Sequence, residues 1–138
     1  MDKLSAKKRS EIMSKVPQRD SKQEISVRKF LFSHGFRFRK NDKRFPGSPD
    51  IVLPKYKTIV FVHGCFWHGH QGCRAAKLPS TRSDFWRAKI ERNIERDNRK
   101  VAELENLGWK VITVWQCELK NKDLQQDRLN RLIKEIEY

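Results

Sequence analysis

A small group of potential metal ligands constrains the fold of this chain most strongly. Cys65, His70 and Cys73 lie close together in a glycine-rich segment, and Cys117 follows a predicted helix and strand. Zinc in proteins takes four nitrogen or sulfur ligands in a tetrahedron, so Cys117 would tie this loop to the end of that strand. With every ligand supplied by the protein, the pattern predicts a structural zinc site. The alternative is that the cysteines are small buried residues and His70 is a surface side chain.

Composition indicates a soluble protein with a polyanionic partner. The chain has 31 lysines and arginines against 17 acidic residues, a formal charge of +14, and basic residues that alternate with aromatic ones between residues 36 and 44. This favours nucleic acid over a generically basic protein, although basicity does not distinguish DNA from RNA. The 3 cysteines argue against a disulfide framework, and neither a signal peptide nor a membrane-spanning run is seen. We therefore expect a cytoplasmic protein without a membrane partner.

Hydrophobic periodicity predicts an α/β fold with a mixed sheet flanked by helices. Residues 1–20 are expected to form a basic arm or short helix, and residues 21–138 a single domain. The predicted helices are 21–34, 83–107 and 123–136, and the predicted strands are 36–39, 50–53, 58–63 and 109–115. The strands 50–53 and 58–63 are expected to pair as a hairpin.

Acidic residues interrupt the apolar stripes of two predicted helices. Glu24 extends by one turn the apolar stripe of the first helix, which is formed by Val27, Phe30, Leu31 and His34. Asp97 interrupts the apolar stripe of the second helix, which is formed by Trp86, Ile90, Ile94, Val101 and Leu104. A carboxylate in such a position is costly unless it is paired or coordinates a ligand. Each is therefore a candidate functional residue, the alternative being an ion pair with a nearby arginine or lysine.

Asp50 is a candidate magnesium ligand. It follows Gly47-Ser48-Pro49 and opens the strand 50–53, where a carboxylate can point into a cleft. Hydrolysis of a phosphodiester needs charge neutralisation, a nucleophilic water and a proton acceptor, and nucleases usually hold Mg²⁺ with carboxylates. The alternative, which spacing alone favours, is an aspartate that closes the turn after a proline.

The segment around Cys65 carries further candidates. His63 and His68 flank it, and histidine can accept or donate a proton near neutral pH. Phe66 and Trp67 lie between them, either as core residues or as a wedge that separates stacked base pairs. Their spacing does not decide between these roles.

Several separated motifs together resemble the very-short-patch repair (Vsr) endonucleases. In chain order they are Arg19-Asp20 with Glu24, Phe45-Pro46-Gly47-Ser48-Pro49-Asp50, Phe61-Val62-His63-Gly64-Cys65-Phe66-Trp67-His68-Gly69-His70 with Cys73, Pro79-Ser80-Thr81-Arg82-Ser83-Asp84-Phe85-Trp86, Asn93-Ile94-Glu95-Arg96-Asp97, and Leu107-Gly108-Trp109 with Val114-Trp115-Gln116-Cys117. The resemblance implies a restriction-endonuclease-like core of the PD-(D/E)xK type, with zinc held by Cys65, His70, Cys73 and Cys117.

The resemblance also implies the reaction and its setting. Such enzymes nick double-stranded DNA on the 5′ side of a thymine mispaired with guanine, with Mg²⁺ as cofactor. The mismatch arises by deamination of 5-methylcytosine, which implies a functional link to a cytosine-5 DNA methyltransferase. We expect a monomer associated with the nucleoid. The alternatives are a related restriction or homing nuclease of the same fold, and a zinc-stabilised DNA-binding module without chemistry.

Residue roles are implied in the same way. Asp50 would bind Mg²⁺ and His68 would be the general base. Glu24, His63 and Asp97 would support them.

The wider superfamily's second acid and lysine are missing around Val62. Family members can carry threonine at this position. Val62 can replace it if the residue binds the metal through its backbone carbonyl, but not if the threonine hydroxyl is needed. Met13, Phe66 and Trp67 resemble residues that intercalate beside the mismatch, and Trp86 resembles a DNA-contacting aromatic residue.

Overall fold

A computed structural model describes residues 21–138 of the chain, so the predicted basic arm, with Met13, lies outside the described residues. Three helices, α1 to α3, span Lys22–Ser33, Ser83–Asn106 and Lys122–Glu137. The strands β1 to β4 span Arg39–Lys40, Ile51–Leu53, Thr58–His63 and Lys110–Trp115. None of the helices between residues 21 and 138 is long and apolar enough to cross a membrane.

The strands form a 4-stranded mixed sheet in the order β1-β2-β3-β4. The predicted hairpin is confirmed, because β2 pairs with β3 antiparallel and a short 3-10 turn at Pro54–Tyr56 joins them. β3 and β4 are parallel, and a parallel pair needs a long crossover connection, which here contains α2.

The predicted strand at residues 36–39 is wrong in its extent. Only Arg39 and Lys40 pair with β2, opposite Val52 and Ile51. β2 turns into the 3-10 segment directly after Leu53, the residue opposite Phe38 in this register, so β2 offers no pairing partner to Phe36 and Arg37. Phe36 is buried in the core without belonging to a strand.

Helices cover both faces of the sheet. On one face, Val27 and Leu31 of α1 and Leu132 of α3 pack in one core with strand residues such as Val60 and Val62. Strand residues of the other face, Val52, Ile59 and Phe61, pack with Leu104 of α2. β3 lies between these layers and is buried throughout, so its end can hold side chains firmly.

His34 does not belong to the buried stripe of α1, contrary to the sequence prediction. It is the residue at which α1 ends, and its side chain is exposed. Its ring lies against that of Phe30 with 4.2 Å between centroids. The stripe is continued instead by Glu24, which is only 3% exposed.

A buried arginine joins α3 to the end of β4. Arg128 is 5% exposed, and its Nη1 lies 2.6 Å from Glu135 Oε1 while its Nε lies 3.2 Å from Glu118 Oε2. The other oxygen of Glu118 accepts a hydrogen bond from the amide of Trp115 at 2.8 Å. Buried ionic groups of this kind tolerate little movement, so they fix the turn that follows β4 and carries Cys117.

Candidate active site and metal centre

The chain turns sharply after β3 and returns to it. The amide of His68 donates to the carbonyl of Gly64 at 3.2 Å, and the amide of His70 donates to the carbonyl of Cys65 at 2.9 Å. These turns place His68 beside His63, the last residue of β3. The loop thereby carries both a candidate acid–base group and the cysteine–histidine group.

The structure assembles the predicted metal ligands. The ligand atoms of Cys65, His70, Cys73 and Cys117 all lie within 4.8 Å of one another. Nδ1 of His70 lies 3.5 Å from Sγ of Cys117. In a tetrahedral zinc site a sulfur and a nitrogen ligand are separated by about 3.6 Å, as the usual bond lengths require. The group can therefore hold a metal ion, and His70 would bind it through Nδ1.

The environment of the thiols differs from one to the next. Burial is the main cause that raises the pKa of Cys65, and burial with two neighbouring thiols raises the pKa of Cys117 to about 12. The pKa of Cys73 is lowered, mainly by a hydrogen bond from the backbone of Ala75. Metal ligation deprotonates thiols. A bound cation would therefore offset the cost of burying the charged thiolates of Cys65 and Cys117, which raises their pKa values.

A second group joins the loop to α2. The rings of His63 and His68 are stacked, with 3.8 Å between centroids and 4° between planes. Nδ1 of His68 lies 2.6 Å from Oδ2 of Asp97. A carboxylate only accepts hydrogen bonds, so Nδ1 of His68 carries the hydrogen, and in the neutral ring the lone pair is at Nε2. His68 is thus oriented to accept a proton at Nε2.

His63 contributes a neutral ring. Burial is the largest cause that lowers its pKa, to about 3, and repulsion from His68 adds to this while Asp97 opposes it. His63 is therefore uncharged at neutral pH. A neutral ring can stack on His68 without repelling a proton that His68 has accepted.

His63, His68 and Asp97 are close enough to share a metal ion, since their ligand atoms also lie within 4.8 Å of one another. The stacking opposes this. An imidazole binds a metal in its own plane, and the two nearly parallel rings direct their lone pairs into separate planes. Unless one ring rotates, this arrangement suits proton transfer better than metal binding.

Asp50 lies at the same end of β3. Its Oδ2 accepts a hydrogen bond from the amide of Val62 at 2.6 Å, so the carboxylate sits one residue before His63. Asp42 has a turn-capping contact of its own in the preceding turn, where its Oδ1 accepts a hydrogen bond from the amide of Arg44 at 3.1 Å. Because the N–H and C=O of a strand residue point to the same side, the carbonyl of Val62 also faces Asp50.

Glu24 is buried on the sheet side of α1. Its Oε2 lies 3.7 Å from Nη1 of Arg28. This is the kind of ion pair that the sequence predicts as the alternative to a functional role. Within residues 21–138, Glu24 belongs to neither of the two groups described above.

The predicted DNA-contacting aromatic residues form one cluster. The rings of Phe66, Trp67 and Trp86 lie edge to face, with centroids 5.3–6.0 Å apart. Phe66 and Trp67 are half-buried, whereas Trp86 is 7% exposed. Trp86 therefore offers little surface to DNA in this arrangement.

Sequence reasoning assigned no role to two residues of the site. Nδ2 of Asn93 donates to the carbonyl of Trp67 at 2.9 Å and so holds the loop against α2. Its position one turn before Asp97 on the same helix was a usable signal. The ring of Trp115 stacks on His70 with centroids 4.0 Å apart, a contact between distant segments that no local pattern indicates.

Gly69 offers a test of how closely the loop must approach α2. Its φ is +59°, and an added Cβ would lie 2.5 Å from Cδ1 of Ile94, whereas Gly72, with φ of +73°, faces open space. Gly72→Ala should cost about 1 kcal/mol through the left-handed backbone alone. Gly69→Ala should cost about 2–4 kcal/mol because overpacking is added. Urea unfolding measures both, and equal losses would contradict the close contact.

Comparison with known proteins identifies the family of this chain. The family model described as DNA mismatch endonuclease Vsr matches residues 1–74. A type II nicking enzyme of Neisseria meningitidis serogroup A is 56% identical over 98% of this chain and 96% of its own length. The DNA mismatch endonuclease Vsr of Escherichia coli K12 is 41% identical, over 86% of this chain and 76% of its own. The chain therefore belongs to the DNA mismatch endonuclease Vsr family.

Proposed function

We propose that this DNA endonuclease uses Mg²⁺ to nick duplex DNA on the 5′ side of a thymine mispaired with guanine. The observation that carries the proposal is that both groups are held at the same end of β3, Asp50 by the amide of Val62 and the His68–Asp97 pair by the ring of His63. A hard oxygen ligand and a proton acceptor are the two groups that metal-assisted phosphodiester hydrolysis requires. Membership of the family supplies the reaction class.

The residues divide the chemistry between them. Asp50 and the carbonyl of Val62 would hold Mg²⁺, and oxygen ligands of this kind are those that it prefers. When bound, the ion supplies positive charge against the phosphate. His68 accepts a proton from the attacking water at Nε2, because Asp97 fixes Nδ1 as the donor. The neutral ring of His63 holds the plane of His68.

Glu24 enters this proposal as a supporting group. It is buried beside Arg28 on α1, so its negative charge is partly compensated. The described sheet and helices fit a PD-(D/E)xK-type core within one endonuclease domain, residues 21–138, that follows a basic arm.

We further propose that the cysteine–histidine group holds structural zinc. Three sulfurs and one nitrogen are ligands that zinc favours, and the 3.5 Å between Cys117 and His70 agrees with a tetrahedral edge. The ion would close the loop that carries His68, Phe66 and Trp67. Its role would be to hold these side chains in place and not to contact the phosphate.

Charge and aromatic surface support DNA as the substrate. Beside Trp67, an open cleft of about 540 Å³ is lined by residues of α2, four of them basic and one acidic: Phe85, Lys89, Arg92, Asn93, Glu95, Arg96 and Arg99. Such a surface complements phosphates, and the half-buried Phe66 and Trp67 can insert beside the mismatch. We propose Met13 and Trp86 as further DNA contacts, the latter after the aromatic cluster opens.

The proposed cellular setting follows the family. The protein would act as a cytoplasmic, nucleoid-associated monomer that repairs mismatches arising from deaminated 5-methylcytosine. This gives it a functional link to a cytosine-5 DNA methyltransferase.

The function is tested with end-labelled duplexes that differ only in one base pair. With Mg²⁺ present, we expect a single nick 5′ of the thymine in a T:G duplex and no product from the matched T:A duplex, across several flanking sequences. Cleavage of fully paired DNA would indicate a restriction or homing activity. Binding without any Mg²⁺-dependent product would indicate a DNA-binding module.

Asp50→Ala should abolish nicking and leave the Kd for duplex DNA nearly unchanged, because the carboxylate would serve the metal more than the DNA. The expected loss in rate is on the order of 10³-fold or more. Asp42→Ala in the preceding turn is the matched control, since its carboxylate binds Arg44, and should nick normally. Equal losses of binding and cleavage would refute the role of Asp50.

Cys117→Ala should release zinc, detected by elemental analysis, and lower the Tm. A loss of about 3 kcal/mol or more would lower the Tm by roughly 10 °C. Gln116→Ala, an exposed neighbour in the same turn, is the control and should keep both metal and Tm. Unchanged zinc content in Cys117→Ala would exclude Cys117 as a ligand.

A further inference from the structure

A continuous column of rings runs from the cysteine–histidine group to the His68–Asp97 pair. His70 stacks on Trp115 with centroids 4.0 Å apart and 7° between planes. Trp115 meets His63 edge to face at 5.3 Å and 75°. His63 in turn stacks on His68 at 3.8 Å. A metal ligand and the candidate proton acceptor thus lie at opposite ends of one set of packed rings.

Trp115 is the fixed member of this column. As the last residue of β4, it pairs in parallel register with His63, the last residue of β3. Its amide donates to Glu118, which Arg128 holds from α3. The backbone of Trp115 is therefore anchored to the sheet and to α3, while its indole fills the space between His70 and His63.

The anchored indole limits how the two histidines can turn. The indole stacks on His70, and a stacked ring can slide but cannot tilt without losing contact on one side. The indole meets His63 edge to face and so blocks that ring from one direction. His63 also touches Phe61, with 5.4 Å between ring centroids, so its ring is confined from two directions. His68 stacks on the ring thus confined. Its Nε2 must point at the attacking water, so the tilt of this pair matters for proton transfer.

We propose that Trp115 is a positioning residue that couples metal binding at the cysteine–histidine group to the orientation of His68. The loop from His68 to His70 is a second physical route between the two sites, so the test must separate it from the indole. The proposal rests on the proton-acceptor role proposed for His68. It adds that the indole of Trp115 links the metal-bound His70 to the orientation of the His68 ring.

The kinetic test compares three full-length, metal-loaded variants. Trp115→Leu should lower the single-turnover nicking rate about tenfold or more, because misorientation of a catalytic group costs that much. Its Kd for duplex DNA should stay within about twofold, the signature of an effect on the chemical step. Trp115→Phe, which keeps a flat ring, should recover most of the rate.

Trp109→Leu is the matched control. Trp109 precedes β4, and its ring meets Phe45 edge to face at 5.0 Å in the core on the α2 side. It should lose a similar amount of stability but keep its nicking rate. Elemental analysis must show full metal content in every variant. A rate loss in Trp109→Leu as large as that in Trp115→Leu would overturn the proposal.

The second readout needs no activity. The chain has 4 histidines, so their imidazole signals can be separated in ¹H–¹⁵N spectra. Replacing the bound metal with Cd²⁺ should change the imidazole chemical shifts of His70, His63 and His68. This change is expected in the native protein and in Trp109→Leu. In Trp115→Leu the His70 shift should persist, while those of His63 and His68 should fall to roughly half or less.

The two readouts distinguish the possible failures. Undiminished His63 and His68 shifts in Trp115→Leu would show that the loop carries the coupling, and would overturn the proposal. If the native protein nicks no duplex, the proposed function fails. The Cd²⁺ spectra then decide by themselves whether Trp115 couples the two sites.

Discussion

The stacking of His68 on His63 is the contact on which the candidate active site depends. It joins a side chain of an irregular loop to the end of the most buried strand. The hydrogen bond to Asp97 joins the same imidazole to α2. Those two contacts orient the ring and select its tautomer. Burial keeps His63 neutral, so the stack survives when His68 takes up a proton.

The loop that carries His68 has few apolar residues of its own, so other forces must hold it. The cysteine–histidine group brings together residues on both sides of His68, and Asn93 holds the carbonyl of Trp67 between them. Gly69 allows the backbone to pass against Ile90 and Ile94, where a side chain would not fit. These constraints explain how a glycine-rich loop can hold His68 in one position.

Much of the architecture was predictable from local patterns. The helix periodicities, the hairpin at β2 and β3 and the spacing of Cys65, His70 and Cys73 each depend on residues close in sequence. The predictions failed where the length of an element or the burial of a residue depended on segments distant in the chain. The strand at 36–39 was too long because β2 is short, and His34 was placed in the core although α1 ends at it.

The sequence by itself determined the chemistry available: three cysteines with a histidine, an aspartate at the start of a strand, and two histidines around a loop. Only the tertiary structure decided how these groups meet. The bond from Val62 to Asp50, the pairing of His68 with Asp97 and the insertion of Trp115 beside His70 all join segments far apart in the chain. Such contacts depend on the register of strands and the packing of helices, which arise from the folding of the whole domain and leave no periodic signal in any one segment.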